Sequence, residues 1–250
     1  MRAQRRGASV TVLYLTTGVP SLEELWPWQR ASRAKWVGRR HDEAARAAAL
    51  LKFGQDGYSS IPSRRLIRHL DEAEASVAHA IENAAATELW VTAFEGAHQD
   101  HDAANAIAAR FGERLPVWEF AAYNFAGGKV RSNKFLDARG GVVELTADRD
   151  EAAMKRRALG LYASERGNLR HIRIGEEQYR PLPRHDYSTP PHAGRLFRER
   201  FQWVPLRHPR IDFTSSAEIY SVLGRWSGAT APAERNPEPS GEVQHLPLSR

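Results

Sequence analysis

Leu89-Trp90-Val91-Thr92-Ala93-Phe94 is an unbroken run of apolar, aromatic and β-branched residues, without the alternation of a half-exposed strand. It reads as a strand buried on both faces, which requires a layer on either side of its sheet. From Ala103 to Phe111 alanine, isoleucine and phenylalanine recur at helical spacing, and Asp102 suits the N-cap of that helix. The polar loop between them leaves the carboxyl end of a strand. In open α/β sheets that edge is where ligands bind.

The rest of the chain repeats the alternation. Ser9 to Thr16 is nearly continuous in β formers, and Thr17-Gly18-Val19-Pro20 ends it in a turn. A helix is expected from Gly38 to Lys52, closing at Gly54, and another from Asp71 to Ala85. Pro116 to Tyr123 and Val142 to Leu145 read as strands, and Ala147 to Tyr162 as a helix capped by Asp148 or Thr146. The strands near 9–16, 88–94 and 116–122 are expected as parallel neighbours. The fold class that follows is α/β, a Rossmann-like three-layer sandwich with a mainly parallel central sheet. Trp26, Trp28 and Trp36 read first as core, with the wall of a substrate pocket as the alternative.

Composition narrows the class of function. At 250 residues the chain buries a substantial core and is most simply one domain, residues 1–226. Residues 227–250 read as a flexible tail because Ala231 to Gly241 is polar and proline-rich. The net charge of +6 is carried mostly by arginine, spread along the chain rather than gathered with aromatics into a nucleic-acid patch. No apolar run is long enough to span a bilayer. Zero cysteines exclude disulfides and thiolate ligands, which fits a cytoplasmic enzyme.

His98, Asp100 and His101 put two imidazoles and a carboxylate within four residues of the 95–102 loop. Such donors suit Zn²⁺, and a catalytic zinc takes three protein ligands with a fourth position open. A solvated turn is the competing reading. One short loop does not converge three donors on one ion, so any metal needs ligands from elsewhere.

Glu95-Gly96-Ala97-His98-Gln99-Asp100-His101-Asp102 resembles the second metal motif of the PIG-L (LmbE-like) family of zinc-dependent de-N-acetylases, with Gln99 in place of a proline. Other stretches are similar in order and spacing. They are Leu15-Thr16-Thr17-Gly18, the Arg40-His41-Asp42-Glu43 helix start, Lys155 to Glu165, Glu176 to Arg180, and Pro190 to Glu199 with Trp203. The resemblance implies hydrolysis of the N-acetyl group of an N-acetylglucosamine-type sugar or conjugate, a small-molecule partner. It makes His101 a zinc ligand, Asp100 the carboxylate that orients a histidine, and His98 the imidazole that stabilises the oxyanion or protonates the amine. Arg40 and His192 are the implied substrate-binding residues. Helix surface and exposed loop are the competing readings for those two. The family's first metal motif has no counterpart here, so the chain reads as N-terminally truncated relative to the family and as a weak zinc binder. The alternatives are a relative that binds a sugar without hydrolysing it, and a basic interaction protein that shares only the fold.

Overall fold

The computed structural model describes residues 1–139, 141–206 and 208–228. Along the chain run α1 (Arg2–Arg5), β1 (Thr11–Tyr14), α2 (Pro27–Arg30), α3 (Arg33–Leu51), β2 (Gly54–Tyr58), α4 (Leu70–Asn83), β3 (Leu89–Thr92) and α5 (Gln99–Ala109). They are followed by β4 (Val117–Phe120), β5 (Tyr123–Asn124), β6 (Arg131–Ser132), β7 (Val143–Thr146), α6 (Arg149–Leu161), α7 (Arg166–Leu169), β8 (Glu176–Pro181) and α8 (Ser216–Gly228).

The α/β class holds, and the sheets are both parallel and mixed. β3 and β4 pair in parallel, with Leu89 opposite Val117 and Thr92 opposite Phe120. β8 joins β4 antiparallel and carries β7 antiparallel on its far side, giving the order β3-β4-β8-β7. β1 pairs in parallel with β2, not with β3. Its partner, Gly54-Gln55-Asp56-Gly57-Tyr58, is too polar and too glycine-rich to announce itself as a strand. The sequence expectation of three neighbouring parallel strands is therefore met for β3 and β4 only.

Helix ends also moved. α3 begins five residues earlier than its alanine-rich centre suggests, and it closes on Lys52 in the left-handed region (φ 57°), leaving Gly54 to open β2. α6 starts on the expected Asp148: its carboxylate accepts from the Glu151 amide at 2.8 Å, while Glu151 accepts from the Asp148 amide at 3.1 Å. Arg2 and Arg5 close on the same Glu151 carboxylate and so tie α1 to α6. α8 runs to Gly228, so the expected tail lies, from residue 229 on, outside the described residues.

The main core lies where α4, α5 and α8 meet. It includes Leu66, Leu70, Val77, Phe94, Ile107, Leu196, Ile219, Tyr220 and Leu223. Small residues at Ala103 and Ala106 let α5 sit deep between its neighbours, both fully buried. The first tryptophans do not join this core: Trp26 and Trp28 stack on each other with centroids 5.3 Å apart, and Trp28 is 73% exposed. A second buried centre is ionic. Glu119 on β4 accepts from Arg180 Nε at 2.7 Å and from Asn105 at 2.9 Å, and shares a hydrogen bond with His185 at 3.0 Å. These partners compensate a carboxylate with no exposed surface. No helix among the described residues is long and apolar enough to cross a membrane.

Candidate functional site

β3 delivers the chain at Thr92 into the segment Ala93–His98, and α5 begins at Gln99. The helix thus starts three residues before its expected N-cap. His98 is the cap: its Nδ1 accepts from the Asp100 amide at 3.2 Å. Asp102 instead turns backward, accepting from the Gly96 and Glu95 amides at 3.1 and 3.3 Å and from the Tyr220 hydroxyl at 2.9 Å. The sequence rule for a cap fitted Asp102 because aspartate caps helices well, but tertiary partners claimed it first. Gly96 has φ +68°, and a Cβ there would lie 2.7 Å from Leu196 Cδ2, so the turn needs glycine on two grounds.

The cap fixes the His98 tautomer. Nδ1 accepts a hydrogen bond, so in the neutral ring the proton sits on Nε2. Burial lowers the His98 pKa to about 4, and Arg64 and Arg198 nearby act the same way, against the pull of Asp212. The ring is therefore neutral near pH 7 and offers an N–H donor.

Asp100 does not hydrogen-bond His98 through its carboxylate, which stands 3.6 Å from Nδ1. Its oxygens accept from the Arg64 amide at 2.8 Å, the Leu66 amide at 3.3 Å and the Ser63 hydroxyl at 3.3 Å. Burial raises its pKa to about 6. Asp100 thus pins the 63–66 turn beneath the loop. Gln99, where the family has proline, is fully buried and donates to Asp212 at 2.7 Å and Thr214 at 3.2 Å. That departure has a structural use, fastening the loop to a segment over 110 residues away.

His101 lies on the first turn of α5, its ring 5.6 Å from His98 and edge-on to Tyr123 at 5.7 Å. Burial and His98 lower its pKa to about 3. Its Nδ1 is buried without a hydrogen-bond partner, a donor atom fit for a metal. Yet no group of three or more His, Cys, Asp or Glu side chains among the described residues could hold an ion. The donors present do not by themselves fit a resident zinc.

The two implied substrate residues make contacts of their own. Arg40 closes an ion pair with Glu165, over the Gly18 turn, and no hydrogen bond, ion pair or ring contact among the described residues joins it to His98 or His101. His192 is half-buried and bonds the Ala193 carbonyl through Nδ1 at 2.9 Å. Its neighbour Pro191 packs by Gly96, 3.2 Å from where a Cβ would stand. Around the loop the structure adds contacts that the sequence did not show. Glu95 accepts from the Ala122 and Tyr123 amides at 2.7 and 3.0 Å and from Asn124 at 3.2 Å, with burial pushing its pKa up to about 8. Tyr123 brings with it His171 and Phe197, at 4.8 and 4.5 Å. Glu95 lies within the motif quoted above, but no local pattern marks Tyr123, His171 or Phe197 as its company, and they meet only through the fold.

Comparison with known structures shows the same fold in deacetylases. A deacetylase of the teicoplanin biosynthesis pathway superposes with a TM-score of 0.53 at 18% identity, covering 74% of this chain and 91% of that one. The zinc-inhibited form of teicoplanin deacetylase gives 0.51 at 18% identity, covering 74% and 91%. The deacetylase of A40926 pseudoaglycone gives 0.53 at 16% identity, covering 73% and 90%. Among curated proteins none matches. The family model described as PIG-L, GlcNAc-PI de-N-acetylase, matches residues 1–111. That match spans the part of the chain that holds Arg40, His98, Asp100 and His101, and it names the same family that the sequence motifs resemble.

Proposed function

We propose that this protein is a de-N-acetylase, an amide hydrolase acting on an N-acetylglucosamine-type sugar or conjugate. The observation that carries the reading is the pair His98 and His101 at the carboxyl end of β3, inside the stretch matched to a de-N-acetylase family. The deacetylases that share the fold support it. A Rossmann-like layering is part of the same reading, with α4 and α5 packed together beside β3 and α3 packed on α6.

Hydrolysis of an acetamide places negative charge on the carbonyl oxygen as water adds, and the amine then leaves. A neutral His98 with its proton on Nε2 is suited to donate a hydrogen bond to that oxygen; such donors contribute about 10²–10³ in rate. Its low pKa makes it a poorer proton donor to the amine than an ordinary imidazole. Asp100 acts by holding the 63–66 turn against the loop. His101 offers a buried ring nitrogen, Nδ1, that no hydrogen bond among the described residues occupies, and zinc at that atom needs further donors beside it. Arg40 and His192 are carried as substrate-binding residues on the resemblance.

A second reading is favoured by that shortage of donors: a protein that binds an acetylated sugar without cleaving it. Amine release from N-acetylglucosamine conjugates, measured with and without added zinc and beside equilibrium binding of the same sugars, separates the two. Release that His98→Ala abolishes supports the hydrolase. Binding with no release under either condition supports the second reading, and neither binding nor release removes both.

A further inference from the structure

Arg200 lies in the 3-10 turn Phe197–Phe201, whose Phe197 ring packs on Tyr123, the same ring that meets His101. Its guanidinium carbon sits 3.3 Å over the Phe197 ring, with the Phe201 and Phe125 rings at 5.2 and 5.8 Å. Its Nε donates to the Phe197 carbonyl at 2.8 Å, and no described hydrogen bond uses Nη1 or Nη2. No carboxylate pairs with it among the described residues, although most half-buried arginines of this chain have one: Arg40, Arg65 and Arg110 all do. Burial lowers the Arg200 pKa, Tyr123 opposes this, and Arg170 adds to it.

The surroundings share the same lack. The Tyr123 hydroxyl has no described hydrogen bond, and its ring is in contact with both His101 and His171. His171 Nε2 is buried without a partner, and Arg170 beside it is exposed and forms no ion pair among the described residues. A guanidinium partly stripped of water, fixed in place by aromatic stacking and left with both Nη groups unused, is a fork set for a carboxylate or phosphate. Stacking on Phe197 alone accounts for its position but not for two Nη groups and a neighbouring tyrosine hydroxyl that no described hydrogen bond uses.

We propose that Arg200, with the Tyr123 hydroxyl beside it, is an anion subsite adjoining His101, and that the acetylated sugars this protein takes carry a carboxylate or phosphate. The proposal rests on the de-N-acetylase reading for the identity of the sugar, and on Arg200 alone for the charge.

Equilibrium binding followed by tryptophan fluorescence tests it, with N-acetylglucosamine, its 6-phosphate, N-acetylmuramate as the carboxylate arm, and inorganic phosphate as probes. The wild-type protein is expected to bind the charged sugars about tenfold more tightly than the neutral one. That ratio should shrink with added salt, fall toward one in Arg200→Met, and survive in part in Arg200→Lys. Circular dichroism of each variant establishes that it is folded. Where Arg200→Met does not fold, Tyr123→Phe and Arg200→Lys carry the test, and a ratio unmoved by both overturns the proposal. A ratio near one in the wild type overturns it as well, while leaving the sugar reading standing. Phosphate binding that depends on Arg200, without any preference for acetylated sugars, upholds the subsite and removes the deacetylase reading. No binding of any probe ends both.

Discussion

The Tyr220 hydroxyl donates to Asp102 at 2.9 Å, joining α8 to the first turn of α5 across 118 residues. Both groups are buried, and the other Asp102 oxygen holds the Glu95 and Gly96 amides. The shape of the loop in front of His98 therefore depends on a residue near the end of the described chain. Tyr220→Phe keeps the ring and leaves one buried carboxylate oxygen without its donor. A loss of about 1–3 kcal/mol in urea unfolding is expected, and an unchanged midpoint would show that the bond contributes nothing.

Gly96→Ala is expected to cost about as much or more. The residue would need φ +68°, and its methyl group would press on Leu196 and Pro191. Lost stability of about 2 kcal/mol or more should accompany weaker sugar binding, because the loop cannot turn without moving His98. Wild-type thermal stability together with wild-type binding would refute the close packing described for this turn.

His98→Ala removes the Nε2–H donor together with the cap of α5. If the de-N-acetylase reading holds, amine release should fall about 10²–10³-fold. His98→Asn keeps a side-chain cap acceptor and should recover stability without recovering rate. Equal recovery of both would reassign His98 to structure alone.

Glu151 gives a pH prediction. Arg2, then the Asp148 amide and Arg5, lower its pKa from 4.5 to about 2 against burial. A carboxyl group whose folded pKa is depressed adds stability that is fully present above the unfolded value of 4.5 and is lost as the pH falls toward about 2. Wild type should thus exceed Glu151→Gln in stability at pH 6, with the gap closing between pH 4.5 and 2. A gap that is constant across that window would show that Glu151 is not ionically held.

What was legible in the sequence was local. β3 showed because Leu89 to Phe94 is five apolar residues and a β-branched threonine, although the strand is not buried on both faces as that run suggested, Trp90 being 43% exposed; α6 showed because Asp148 and Glu151 form a capping box three residues apart. β2 did not show, because Gly54 to Tyr58 depends on β1 for its conformation rather than on its own side chains. His98 and His101 stood out as residue types, but the choice of His98 over Asp102 as cap was made by Tyr220 and two backbone amides. The Glu119, Arg180 and His185 cluster spans 61 to 66 residues and leaves no trace in any short window. Arg40 was singled out by resemblance, and its pairing with Glu165 is displayed only by the fold.

The reliance of the 95–102 loop on Asp212 and Tyr220 bears on the order in which the molecule is made. As the chain leaves the ribosome, β1 and β2 emerge as a complete pair, and β3 waits only for β4 just beyond α5. The loop between β3 and α5, however, meets its fastenings only after more than 110 further residues have been added. At about 5–20 residues per second that is a delay of roughly 5 to 20 seconds. During that interval α5 lacks α8, the cover for Phe94 and Ile107, and exposes an apolar groove to chaperones or to neighbouring nascent chains. Ribosomes stalled before and after codon 220 should therefore differ sharply in how readily a protease cuts the loop.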